Sequence, residues 1–163
     1  MEAEQWQVMH RMIMTFGNND NGVILRKAMS EDLDHIKRLV DLHKNELGFI
    51  IRSALERSIN LSEIVVAVNT VDEIIGLVHY HHRKDGQTTL YNLVVGEASQ
   101  RKGIGKCLVD SLKIEAQDRQ QSFILLKCPE QLSANSFYQN YGFTLSTTEQ
   151  GKKKPLSIWR LDV

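Results

Sequence analysis

Apolar and polar positions follow two rhythms along this chain. "VILRKA" (23–28), "EIVVAV" (63–68), "IIGLVHYHH" (74–82), "TTLYNLVV" (88–95) and "SFILLK" (122–127) are short apolar runs, most of them rich in β-branched residues, and predict strands. Between them the spacing lengthens to that of helices. Leu33, Ile36, Val40 and Leu47 share a helical face as far as Gly48. Ser30 is the expected N-cap there, and Glu31 and Asp32 suit the positive end of the helix dipole. A second helix is expected over Arg52 to Asn60, with Ala54, Leu55 and Ile59 inward. Ile104, Cys107, Leu108 and Leu112 mark a longer one, running from Gly103 to Arg119. "SANSFYQNY" (133–141) predicts a short helix stopped by Gly142.

The order of these elements constrains the topology. Asp85-Gly86 is a strong hairpin signal, so strands two, three and four should form an antiparallel meander. Strand, helix, strand over residues 88–127 is the βαβ pattern, which predicts a parallel pair with a right-handed crossover. "GFTLST" and "LSIWRLD" should close the chain as an antiparallel pair around the polar "EQGKKKP". The expected fold is α/β, a mixed sheet in one domain over residues 23–163. Residues 1–22 form an expected N-terminal extension, with Trp6, Met9, Ile13 and Phe16 on one face before the turn-forming "GNNDNG".

Composition narrows the function classes. Lys+Arg and Asp+Glu both number 20 in 163 residues, so no net basic surface invites nucleic acid. The two cysteines, Cys107 and Cys128, have neither disulfide-scaffold nor zinc-ligand spacing, which points to a reducing cytoplasm and no metal. No apolar run approaches the ~20 residues that span a bilayer, so no membrane partner is expected. Glu2 and Glu4 stand where a signal peptide would carry cations.

The candidate chemistry begins at "SQRKGIGKCL" (99–108), where two glycines and three cations meet a helix start. That combination suits a phosphate. A Walker loop requires GxxxxGK[ST], but Gln100 stands at the first glycine position and Cys107 at the hydroxyl position. A dinucleotide fingerprint requires a third glycine, where Leu108 stands. Gln100-Arg101-Lys102-Gly103-Ile104-Gly105 instead fits Gln/Arg-x-x-Gly-x-Gly/Ala, with Lys106 adding charge. Residues without side chains there let a pyrophosphate approach the backbone.

In context, "LYNLVVGEASQRKGIGKCLVDSL" resembles the acetyl-CoA-binding motif of the GNAT superfamily of acyl-CoA N-acyltransferases. "LKCPEQLSANSFYQNYGF" is similar to that superfamily's next motif, and the resemblance extends over residues 23–162. One departure is Gly96-Glu97, where a proline is common. The resemblance implies acetyl-CoA as cosubstrate, held where strands four and five splay. It implies a strand-four bulge whose amides, at Leu93, Val94 and Val95, bind the acetyl carbonyl. It implies pyrophosphate on the amides of residues 101–106. Asn135 matches a polar residue that contacts the cofactor, and Tyr138 a tyrosine near the thioester sulfur, often assigned as general acid.

The implied reaction is direct attack of a neutral primary amine on the thioester. Negative charge develops on oxygen, where fixed amides stabilise it. A thiolate leaves, and with a thiol pKa of about 8.5 it needs little help from Tyr138. The amine must first lose a proton from a group of pKa about 10.4. Thr89 stands roughly where some relatives carry a glutamate, and it cannot act as the base. His79 and His81 share one face of strand three, Tyr80 and His82 the other, and one pair should face the substrate. Glu46 and Glu97 are weaker candidates. "GKKKP" (151–155) reads as a solvated hairpin tip, Cys107 as a residue turned to the core, and Cys128 as a packed residue ending a strand. In the family the acceptor is chosen mainly by the first two helices and the last hairpin, here residues 41–60 and 146–156, whose mixed charge leaves small amine, peptide and protein lysine open. The rival expectation is a non-catalytic acyl-CoA sensor of the same fold. Relatives point to a homodimer.

Overall fold

The computed structural model describes residues 22–163, and the expected extension lies almost wholly outside them. Hydrogen bonding orders seven strands as β1-β2-β3-β4-β5-β7-β6. They are β1 (Ile24–Lys27), β2 (Ile64–Val68), β3 (Ile74–His82), β4 (Gln87–Val95), β5 (Phe123–Pro129), β6 (Thr144–Gln150) and β7 (Pro155–Asp162). The helices are α1 (Leu33–Leu42), α2 (Lys44–Leu47), α3 (Arg52–Asn60), α4 (Ile104–Asp118) and α5 (Ala134–Tyr141). The sheet is mixed, as expected: β2 is antiparallel to β1 and β3, whereas β4 and β5 run parallel.

The chain divides into two compact units. One takes in the described residues up to His79 together with Asn92–Ser111. Its core joins Ile36, Leu39 and Val40 of α1, Leu55 and Ile59 of α3, Ile64, Val66 and Val68 of β2, Leu77 of β3 and Val94 of β4. All five residues of β2 are buried, which suits a run of β-branched side chains with cover on both faces. Val65 and Ala67 stand opposite Val78 and Gly76 on the other face. A Cβ at Gly76 would lie 3.0 Å from the Val94 carbonyl oxygen and 3.3 Å from Leu108 Cδ1 of α4, so this position admits little beyond hydrogen.

Two details of the first helix differ from the sequence expectation. Ser30 opens a short 3₁₀ turn (Ser30–Asp32) and makes no side-chain cap; the Asp32 carboxylate caps instead, accepting the Met29 N–H at 2.7 Å. Asp32 also accepts two hydrogen bonds from Arg26, at 2.6 and 3.0 Å. Burial pulls its pKa up, but the Arg26 and Met29 donors outweigh that and hold the carboxyl below its ordinary value. The helical face then breaks at His43, separating α1 from α2, before Gly48 ends it at φ 78°.

The second unit comprises Tyr80–Tyr91 and Leu112–Val163. β4 pairs in parallel with β5 from Gln87↔Phe123 to Leu90↔Leu126. β7 inserts between β5 and β6, antiparallel to both. Ile124, Leu126, Ile158, Trp159, Phe143 and Tyr138 are buried, while β6 is exposed along its whole length. On the helical side, Tyr80 donates to Glu115 of α4, and His82 Nδ1 meets Thr88 Oγ1 at 2.8 Å.

Candidate active site

β4 carries one residue more than β3 allows. Arg83 N–H donates to Gln87 O at 2.8 Å, and Gly96 N–H donates to Ile75 O at 2.7 Å. Between these two pairs β3 covers eight steps (83 to 75) and β4 nine (87 to 96). Side chains narrow the place: His82 meets Thr88 across the pair, and His79 meets Asn92 at 3.2 Å. From 82 to 79 is three steps, and from 88 to 92 is four. The extra residue therefore lies between Thr88 and Asn92, a β-bulge just upstream of Asn92 and Leu93. The parallel ladder to β5 also reaches its last pair at Leu90. Val94 is buried, and Leu93 and Val95 are half-buried.

The glycine-containing loop follows directly. A 3₁₀ turn (Glu97–Ser99) leads to Gln100, whose side chain donates to the Val95 carbonyl at 3.0 Å. That bond ties the loop to the end of β4. Arg101 and Gly103 both take positive φ, 60° and 80°, with Lys102 between them. Alternating handedness of this kind gathers backbone N–H groups into an anion-binding concavity. A left-handed Arg101 is costly by about 1–2 kcal/mol, a cost typical of functional loops. Ile104 then begins α4, and Gly103 O accepts the Cys107 N–H at 3.1 Å.

The first amides of α4 have no intrahelical acceptor, and the helix dipole adds positive potential there. Arg101, Lys102 and Gly103 are exposed, Gly105 is half-buried and Ile104 is buried as the helix anchor. Lys106 is exposed and pairs with Asp110 at 2.9 Å. Leu93 to Lys106 thus form one continuous segment of a single unit, all on β4, the loop and the first turn of α4.

Asn135 and Tyr138 belong to the other unit, on α5. Tyr138 is buried, edge-on to both Phe137 and Phe143. Burial, with a contribution from Cys128, raises its hydroxyl pKa well above the ordinary value. Burial likewise pushes the Cys128 thiol up to about 11, which makes it a poor nucleophile. Asn135 also has a structural task. Its amide nitrogen donates to the carbonyls of Pro129 (2.9 Å) and Leu132 (2.8 Å), and its oxygen accepts the Trp159 indole N–H at 2.8 Å. These bonds make Asn135 a clamp on the loop between β5 and α5.

The base candidates expected on β3 separate as well. His79 is buried, with Nε2 2.8 Å from Ser58 Oγ and Nδ1 3.2 Å from Asn92 Nδ2. Burial pushes its pKa down to about 4, too low to take a proton from an ammonium group. Cys107 is half-buried rather than turned fully to the core; Val109, Ser111 and Ala116 join Ile104, Leu108 and Leu112 on the packed side of α4. Asn92 and Ser58 were not expected at all. Nothing local marks them, since their meeting with His79 crosses 13 and 21 residues of sequence. Among the described residues, no cluster of His, Cys, Asp or Glu could hold a metal, and no helix is long and apolar enough to cross a membrane.

A bulged central strand feeding an anion-binding loop and a long helix defines an acyl-coenzyme A transferase architecture. Residues 29–157 match the family model of the acetyltransferase (GNAT) domain, and the chain belongs to that family. It is an acetyl-CoA-dependent acetyltransferase. Solved structures of the same fold include Ard1 from Thermoplasma volcanium, with TM-score 0.76 at 15% identity, covering 87% of this chain and 98% of that one. PaiA N-acetyltransferase from Thermoplasma acidophilum, in complex with coenzyme A, gives TM-score 0.74 at 18% identity over 87% of this chain and 99% of that one. N-acetylglutamate synthase from Neisseria gonorrhoeae, complexed with coenzyme A and N-acetyl-glutamate, gives 0.72 at 18%, over 86% of this chain and 35% of that one. At these identities the likeness is one of fold. No curated protein matches the chain significantly.

Proposed function

We propose that this protein transfers the acetyl group of acetyl-CoA to a primary amine by direct attack on the thioester, within a domain spanning residues 23–163. The observation that carries the reading is the run from the β4 bulge to the first turn of α4, where positive φ at Arg101 and Gly103 and the helix start gather backbone donors beside cations. The pyrophosphate sits on the amides of residues 101–106, with Arg101 and Lys102 supplying charge. The amides of Leu93, Val94 and Val95 serve the acetyl carbonyl. As the amine nitrogen bonds to the carbonyl carbon, charge gathers on that oxygen and the same amides stabilise it. The C–S bond then breaks, coenzyme A leaves as thiolate, and the attacking nitrogen releases its surplus proton to solvent.

Tyr138 donates a hydrogen bond to the departing sulfur. Its pKa lies above that of a thiol, about 8.5, so the phenolic proton stays shared rather than fully transferred. Asn135 is the late-helix polar residue that contacts the cofactor, and it also clamps the loop before α5. The acceptor is a small-molecule or peptide amine. A cytoplasmic setting suits the two free cysteines, and homodimerisation is part of the same reading.

Calorimetric titration with acetyl-CoA, with ATP as control, tests the loop, and an amine panel scored by coenzyme A release tests the reaction. Binding of acetyl-CoA alone, followed by turnover with a primary amine, is expected. Equal binding of ATP would remove the loop assignment, and tight binding without turnover on any amine would favour a sensor over an enzyme.

A further inference from the structure

The polar chain Ser58–His79–Asn92 stands out because it adjoins a core of aliphatic side chains. Ser58 projects from α3, between the buried Leu55 and Ile59. His79 lies on β3, two residues from the fully buried Leu77, and is itself buried. Asn92 is on β4, two residues before the buried Val94. A buried imidazole in such surroundings is costly unless its polar atoms are bonded, and here both ring nitrogens have partners. The Asn92 amide nitrogen is the donor to Nδ1, which makes Nδ1 the acceptor and leaves the ring proton on Nε2, donated to Ser58 Oγ. The chain is thus directional, from Asn92 through His79 to α3.

Its end point is what gives it meaning. Asn92 is the first residue of β4 with an observed β3 partner beyond the bulge, and Leu93 follows it. A bulge lacks the regular ladder that otherwise fixes backbone orientation, so a side-chain anchor at its edge has unusual leverage. Misaiming a reacting group by 1 Å costs about 100-fold in rate.

We propose that Ser58 and His79 are positioning residues for acetyl transfer: acting through Asn92, they lock the β4 bulge so that the Leu93 amide points at the acetyl carbonyl. The proposal rests on the reading that β4 amides serve that carbonyl. His79 touches neither coenzyme nor amine; it works as a neutral strut. The expectation of His79 as general base thus gives way to a different task for the same ring.

The test is ¹⁵N–¹H NMR of the full chain with coenzyme A and with acetyl-CoA, in the wild type, Ser58→Ala and Asn92→Leu, alongside calorimetry with coenzyme A. In the wild type, the Leu93 amide proton is expected to move downfield on going from coenzyme A to acetyl-CoA, and long-range spectra should show His79 as the Nε2–H tautomer. In both variants that displacement is expected to be lost while coenzyme A affinity is unchanged, which also shows that they remain folded. A displacement retained in the milder Ser58→Ala and in any folded Asn92→Leu overturns the positioning role and leaves the acetyl-carbonyl reading standing. No displacement in wild type that binds coenzyme A overturns that reading, and the positioning role with it.

Discussion

Gly103 joins local conformation to ligand access. Its φ of 80° excludes ordinary side chains on energetic grounds, yet a Cβ there would meet nothing within 4 Å. Gly103→Val should therefore leave packing intact but strain the loop by about 1–2 kcal/mol. Coenzyme A affinity measured by calorimetry should fall about ten-fold or more, since any shift of the loop misplaces its amides. Tyr138→Phe keeps the ring contacts with Phe137 and Phe143 and loses one hydrogen bond to sulfur; kcat should drop about ten-fold with unchanged acetyl-CoA affinity, as steady-state kinetics on a working amine will show. The loop that holds Gly103 and the helix that holds Tyr138 were legible in the sequence because each sits in a contiguous motif. Ser58, His79 and Asn92 were not, since hydrogen bonds between separate elements leave no local pattern. Asn135 was legible as a motif residue, but its clamp on the loop before α5 was not, because its partners Pro129 and Trp159 lie on other elements.

Elements add constraints that single residues lack. Strand and helix positions followed the apolar rhythm closely, because burial alone sets that rhythm. Their ends did not. Ser30 makes no cap, and the Asp32 carboxylate instead holds the Met29 N–H ahead of the 3₁₀ turn and answers Arg26. Asp32→Ala should lower unfolding stability at pH 7 by about 2–3 kcal/mol, through lost charge-assisted hydrogen bonds. Because the folded carboxyl titrates below its ordinary value, this contribution is full above the unfolded pKa of about 3.9 and fades as pH falls through the folded value. Denaturant melts at pH 7 and pH 3 should show the gap between wild type and variant narrowing in acid. On β3, Gly76→Ala would press a methyl against the Val94 carbonyl at 3.0 Å. Thermal melts should register about 1–3 kcal/mol of overpacking, with weaker acetyl-CoA binding as β4 shifts.

For the whole molecule, the antiparallel meander and the parallel βαβ pair could both be read from turn chemistry and element order. The placement of β7 between β5 and β6 could not, because both hairpin orders satisfy the same alternation of side chains. The N-terminal extension is a further whole-chain question. A chain beginning at Gly22 is expected to fold and to bind coenzyme A with wild-type affinity, since the loop, its tie to β4 and the start of α4 lie within residues 92–111. Calorimetry on the shortened chain decides it; a weaker titration would assign residues 1–21 a part in binding. Affinity should also fall with added salt, because Arg101 and Lys102 act from exposed positions.

The surplus residue of β4 is not required by the ladder to β3. Deleting Tyr91 alone would keep every β3 partner on both sides of the step: Thr88 would still oppose His82, and Asn92 would still oppose His79, now through an unbroken ladder. Such a deletion should yield a folded protein that is catalytically silent, as thermal melts and an assay of coenzyme A release would show. This single position thus records selection for chemistry where strand pairing alone makes no demand.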